Sequence, residues 1–169
     1  ERHGYDPKLV RGMRLKRQQM APEEAAEVLK KGTSGVLALA GDEGYPYAVP
    51  LSYVYDEQEG TIIFHSAKSG HKIDAVRRDG KASFCVVGQD QVVPAVYTTY
   101  YRSVTVFGKM RILETDEEKR AAIEKLAVKY APDDSEENRD QAIRREWKGL
   151  CVLEMRVEHM TGKKASELL

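Results

Sequence analysis

Two side chains stand where helix electrostatics disfavours them. SGHKIDAVRRDG (69–80) reads as a helix, with Ile73 and Val76 at helical spacing and Asp79-Gly80 as its stop. It opens with His71 and Lys72, potential cations at the positive end of the backbone dipole, each costing ~0.3–1 kcal/mol when charged. Two other helices follow the ordinary rule: Pro22-Glu23-Glu24 and Thr115-Asp116-Glu117-Glu118 put acids in the first turn, the second as a capping box. An anion held by free N–H groups and Lys72 would relieve the mismatch, which makes this a candidate phosphate site. A solvated lysine screened by salt accounts for the pattern equally well.

His65 and Ser66 close the strand TIIFHS (61–66) that feeds this helix. Ile62 and Phe64 share one face of that strand, Ile63 and His65 the other. A histidine beside a bound cofactor can donate a hydrogen bond or a proton, so His65 is the candidate catalytic residue. The plainer alternative is a histidine bonded within the sheet. With no second ligand at suitable spacing, no metal is expected.

A third feature is YPYAVPLSYVY (45–55). Tyr45, Tyr47, Val49, Leu51, Tyr53 and Tyr55 form one face, and the opposite face is small at Ala48, Pro50 and Ser52. Pro50 cannot donate to a ladder, so a break in pairing is expected there, with room for a flat ligand. An edge strand protected by Pro50 is the competing explanation.

The elements that must position these residues follow from period and punctuation. A polar, aperiodic arm covers 1–20, and a helix follows from Pro22 to Lys31, ended by Gly32. Strands are expected at 36–40, 45–55, 61–66, 81–88, 100–113 and 150–158, with Gly108 marking a bulge or bend. A helix runs from Thr115 to about Tyr130. APDDSEENRD then reads as a solvated loop, a short helix ends at Trp147, and residues from His159 onward read as a tail. The fold class is mainly β, an antiparallel barrel with peripheral helices, as a single domain over 21–169.

Composition narrows the function. In 169 residues, 27 basic and 27 acidic side chains cancel, so bulk charge favours neither nucleic acid nor an anionic membrane. No apolar run approaches membrane-spanning length, and the first residues lack the apolar segment of a signal peptide. The two cysteines, Cys85 and Cys151, sit in apolar runs and read as reduced core thiols, which suits a cytoplasmic protein. No G-x-G-x-x-G or Walker motif occurs.

Taken in order, Pro46, Tyr47, Val49, Pro50 and Leu51, then Phe64, His65, Ser66, Ala67, Gly70, Lys72, Ile73 and Asp74, resemble the PYxVPL and xFHSAxxGxKID segments of nitroimidazole-resistance proteins. Those proteins are a branch of the pyridoxamine-phosphate-oxidase-like split barrels. YYRSVTVFGKMRIL (100–113) and MTGK (160–163) extend the resemblance, which covers about Met13 to Lys163. It implies an FMN-binding split barrel that forms a homodimer with the cofactor at the interface. Val49, Pro50, Leu51 and Ser52 would line the flavin ring, with His65, Ser66 and Ala67 beside it. Lys72 would hold the phosphate with His71 nearby, and Tyr101, Arg102 and Ser103 would approach from the central strand. The implied activity is an oxidoreductase acting on a small nitroaromatic or other electron-poor compound. A non-catalytic flavin- or haem-binding protein is the alternative.

Overall fold

The computed structural model describes residues 11–169, so the first half of the expected arm lies outside the described residues. Seven antiparallel strands form one sheet: β1 (Ser34–Ala40), β2 (Pro46–Ser52), β3 (Val54–Asp56), β4 (Thr61–Ala67), β5 (Lys81–Val93), β6 (Thr98–Ile112) and β7 (Leu150–Lys164). Their order across the sheet is β2-β1-β5-β6-β7-β4-β3. The two edge strands, β2 and β3, are consecutive in the chain with only Tyr53 between them. Neighbouring Cα atoms are about 3.8 Å apart, so opposite edges joined by one residue must curl together. That topological constraint makes the sheet a barrel. It remains split where β2 keeps its pairing with β1 instead of joining β4.

Tyr53 is therefore a hinge pin in the barrel wall. It is fully buried, its hydroxyl donates to the Leu29 carbonyl, and its ring meets Phe84 edge to face at 4.9 Å. The expected single strand over 45–55 is thus two strands on different edges. The expected break at Pro50 is also absent, since the β1–β2 register runs unbroken with Pro50 opposite Val36. Pro50 is tolerated because β2 has a neighbour on one side only.

The barrel interior holds Leu37, Ile62, Phe64, Phe84, Val104 and Leu153. A second core lies outside β4 and β7, where Ile63 and Val152 meet Ile123 and Leu126 of α3 (Asp116–Tyr130) and Ile143 of α4 (Glu136–Glu146). This is why TIIF and LCVL are apolar on both faces. The helix α1 (Pro22–Lys31) packs on β7 and β6, and α2 (His71–Arg78) packs on β1 and β6.

Several boundaries differ from the sequence expectation. Strand β5 continues through Val93 and β6 begins at Thr98, so 89–100, where the sequence allows a loop or an irregular strand, forms the end of a long hairpin. Strand β7 runs to Lys164, replacing the expected tail. Helix α4 starts at Glu136, inside the expected loop, because the Ser135 hydroxyl caps the Asn138 N–H at 3.1 Å. Gly32 stops α1 with φ −62°, not in the left-handed region; a Cβ there would collide with the Tyr53 hydroxyl. The bulge at Gly108 occurs as expected, between the Phe107–His159 and Gly108–Val157 pairs. Gln18 and Met20 are buried, and the Met20 N–H donates to Gly162 O at 2.8 Å.

Candidate functional site

At the open seam between β2 and β4 the chain leaves β4 at His65-Ser66-Ala67 and turns into α2. Gly70 makes the turn with φ +128°, a conformation that side-chain-bearing residues rarely adopt. It is the N-cap of α2 and offers no side chain to the first-turn N–H groups. Arg78 fixes the far end of the helix through Asp42 Oδ1 at 3.1 Å and Ala40 O at 2.9 Å.

The two basic side chains at the start of α2 are handled differently. The His71 ring stacks on Tyr47 of β2, centroids 3.9 Å apart, and its Nε2 lies 3.8 Å from Asp42 Oδ2. An internal carboxylate, not an external anion, therefore answers His71. Asp74 also lies in the first turn, so this end of α2 is not devoid of acid. Lys72 has no such answer. It is half-buried, and among the described residues no carboxylate pairs with it. Burial holds its pKa below the ordinary lysine value, partly offset by the nearby Cys151 thiol. A partly desolvated ammonium beside an uncapped helix terminus is an arrangement that could hold an oxyanion.

His65 faces outward from β4. Its ring meets Tyr130 edge to face, centroids 6.5 Å apart. Desolvation of its buried side, and then the charge of Lys72, hold its pKa below the usual histidine value, which favours the neutral ring. Across the seam, Ala48, Pro50 and Ser52 are exposed, while Val49 and Leu51 pack inward. Val54 pairs with Ile63 and β2 touches β4, so Val49, Pro50, Leu51 and Ser52 approach the end of β4 carrying His65, Ser66 and Ala67. These residues, with His71 and Lys72, form one cluster.

Tyr101, Arg102 and Ser103 are not part of it. His65 pairs with Val152 and Arg102 with Lys164, twelve residues apart on β7. That is a path along β7 and not a separation: across the sheet Ser52 pairs with Ser34, and Val87, two residues past the Val36–Cys85 pair, pairs with Ser103, so the β2 part of the cluster lies about three strand spacings, ~15 Å, from Ser103. Arg102 is engaged locally, with Gln89 and with Glu24 Oε1 at 3.5 Å, and Lys163 sits over the Tyr101 ring at 5.7 Å. Within one chain β1 and β5 stand between the β2 part of the cluster and this segment of β6.

Sequence reasoning missed a cleft of about 460 Å³ beside His65, between β4 and helices α3 and α4. The apolar spacing of Ala122, Ile123 and Leu126 was visible, but it does not say which strand the helix covers. Among the described residues, no group of three or more His, Cys, Asp or Glu is placed to hold a metal, and no helix is long and apolar enough to cross a membrane.

Comparison with known proteins places this geometry. The family model described as pyridoxamine 5'-phosphate oxidase matches residues 21–164. Among solved structures, a candidate 5-nitroimidazole antibiotic resistance protein from Bacteroides thetaiotaomicron has a TM-score of 0.71 at 24% identity, covering 86% of each chain. An FAD-binding protein from Mesorhizobium loti scores 0.66 at 24% identity, over 88% of this chain and 97% of that one. An FAD- and haem-binding protein from Mycobacterium smegmatis scores 0.71 at 19% identity, over 88% and 74%. No curated protein sequence matches the chain.

Proposed function

The chain belongs to the pyridoxamine 5'-phosphate oxidase family, and from that premise we propose that it is an FMN-dependent oxidoreductase acting on a small electron-poor compound of the nitroaromatic kind. The observation that carries this reading is Lys72, a desolvated cation without a carboxylate partner among the described residues, at the uncapped start of α2. The likeness to a candidate 5-nitroimidazole resistance protein and to an FAD-binding protein supports it.

The residues present fit a flavin mononucleotide. Lys72 and the first N–H groups of α2 would take the phosphate, with a charge-assisted bond contributing ~1.5–3 kcal/mol. The exposed Ala48, Pro50 and Ser52 leave flat space along β2 for a ring system. Bound there, the flavin would supply the electron transfer. Neutral His65 carries one ring N–H that can donate and one nitrogen that can accept, suiting it to orient a substrate acceptor group or pass it a proton. Tyr101, Arg102 and Ser103 would come from a second copy, since β1 and β5 separate them from the β2 side of the site in their own chain.

The absorption spectrum of the purified protein tests the cofactor. Bands near those of free flavin are expected, bleaching anaerobically with a nicotinamide donor and returning when a nitroaromatic compound is added. A protein that neither carries nor takes up flavin would overturn the reading. Bleaching without recolouring by any nitroaromatic would favour the second reading, a flavin or haem carrier without turnover, which the FAD- and haem-binding neighbour supports.

A further inference from the structure

The end of β4 divides two chemically different surroundings. Ser66 shares its strand face with Ile62 and Phe64 of the barrel interior and pairs with Cys151. His65 and Ala67 turn to the other side, with Ile63, toward α3 and α4. There the cleft is walled by Ile123, Leu126 and Ala127 of α3, Ile143 of α4, and Leu150 at the start of β7. No lysine or arginine lines it, and its one carboxylate is the exposed Glu146. Its volume of about 460 Å³ falls within the roughly 300–1,000 Å³ of small-molecule sites. The phosphate end of the proposed cofactor site, on the α2 side, does not use this space.

We propose that this cleft binds an uncharged aromatic compound of one or two rings, presented edge-on to His65. The proposal deepens, and as a substrate site rests on, the flavin reading, because a compound held there would lie beside the seam between β2 and β4. Apolar walls reward burial of ring surface. The half-exposed Tyr130, set edge to face against His65, leaves a ring face for stacking. An anion would find no cation in the lining and would meet Glu146. A cation would have to desolvate among aliphatic side chains with only an exposed carboxylate for compensation. The neutral imidazole offers one donor or one acceptor to a ring substituent.

Equilibrium dialysis of the full chain with nitrobenzene and with 4-nitrobenzoate, with and without saturating FMN, tests the site. Ala142, an exposed α4 residue in the lining, becomes Ala142→Trp, which fills the cleft without removing a core side chain. Ala127→Phe fills it from α3, so a folding failure in either variant leaves the other. The parent should bind one nitrobenzene per chain, and bind 4-nitrobenzoate at least about tenfold more weakly, or ~1.4 kcal/mol. Either folded variant should lose about tenfold in nitrobenzene affinity while its FMN affinity and Tm stay at the parent values. Parent-like binding by both variants, or equal binding of the two probes, overturns the proposal. One-for-one displacement of nitrobenzene by FMN also overturns it, because the cleft is then part of the cofactor site. Cleft binding that persists in a protein with no affinity for FMN sinks the flavin reading and leaves the binding site standing.

Discussion

Lys72 and His65 are electrostatically coupled, and the coupling predicts a measurable response. The pKa of His65 is lowered first by desolvation and then by the Lys72 charge. A phosphate on Lys72 would cancel the second cause and leave the first. The His65 resonance in a proton NMR titration should therefore move at a pH below 6.5 in the apo protein, and at a higher pH with FMN bound. No upward movement would separate the two residues functionally. The sign for stability follows from the same shift. The unfolded state binds the proton more readily than the folded state, so stability should rise with pH between the lowered folded value and the ordinary one, and His65→Ala should flatten that rise. His65→Ala should also alter flavin chemistry more than it lowers Tm; the reverse pattern would make His65 a sheet residue. Tyr53 has a different role. Tyr53→Phe removes a buried hydroxyl and leaves the Leu29 carbonyl short of a donor, with an expected loss of ~1–3 kcal/mol in denaturant unfolding. A loss below ~0.5 kcal/mol would show that the residue pins the barrel through its ring alone.

Glycine is required in β6 because two backbones meet. A Cβ at Gly108 would collide with the Arg156 carbonyl oxygen, and no flexible side chain can give way. Gly108→Ala should lower the urea midpoint by the equivalent of ~1–3 kcal/mol, whereas Gly149→Ala, with nothing within 4 Å, should be near neutral. Equal effects would remove the bulge from the account. Gly108 was readable in the sequence because a glycine interrupts an alternating apolar run. The ends of β5 and β7 were not. Gln89, Asp90 and Gln91 are strand residues although none is fully buried, since the hairpin arm extends past the core and polar side chains cost nothing there. The break at Tyr53 was hidden for the opposite reason: alternation continues through it, and only the choice of neighbour changes. Lys72 was legible as an electrostatic anomaly. The answer to His71 was not, because Asp42 lies 29 residues away in sequence and only folding brings it to α2.

At the scale of the molecule, β1 and β5 stand between the cluster around Ser52 and His65 and the Arg102 segment, which suits the proposal of a site shared between two copies. A symmetric dimer, in which each copy supplied its α2 end to one site and its β6 segment to the other, would close both. The exposed apolar tip of the β5–β6 hairpin, with Val92, Val96 and Tyr97, suits a segment that meets another chain. Sedimentation at micromolar concentration should give a dimer. Mixing Lys72→Glu with Ser103→Trp subunits should restore about a quarter of the FMN sites, because a mixed dimer has one intact site. A monomer, or no restoration, would confine each site to one chain. The central claim, that α2 and Lys72 hold the phosphate of a flavin, is tested most directly by titrating FMN and riboflavin into the parent and Lys72→Glu proteins, with melting of both apo forms. A glutamate suits the first turn of a helix, so the apo variant should melt at or slightly above the parent temperature. FMN affinity should fall strongly in the variant, while riboflavin, which lacks the phosphate, should bind both proteins about equally. If Lys72→Glu binds FMN as tightly as the parent does, the phosphate is held elsewhere and the account is wrong.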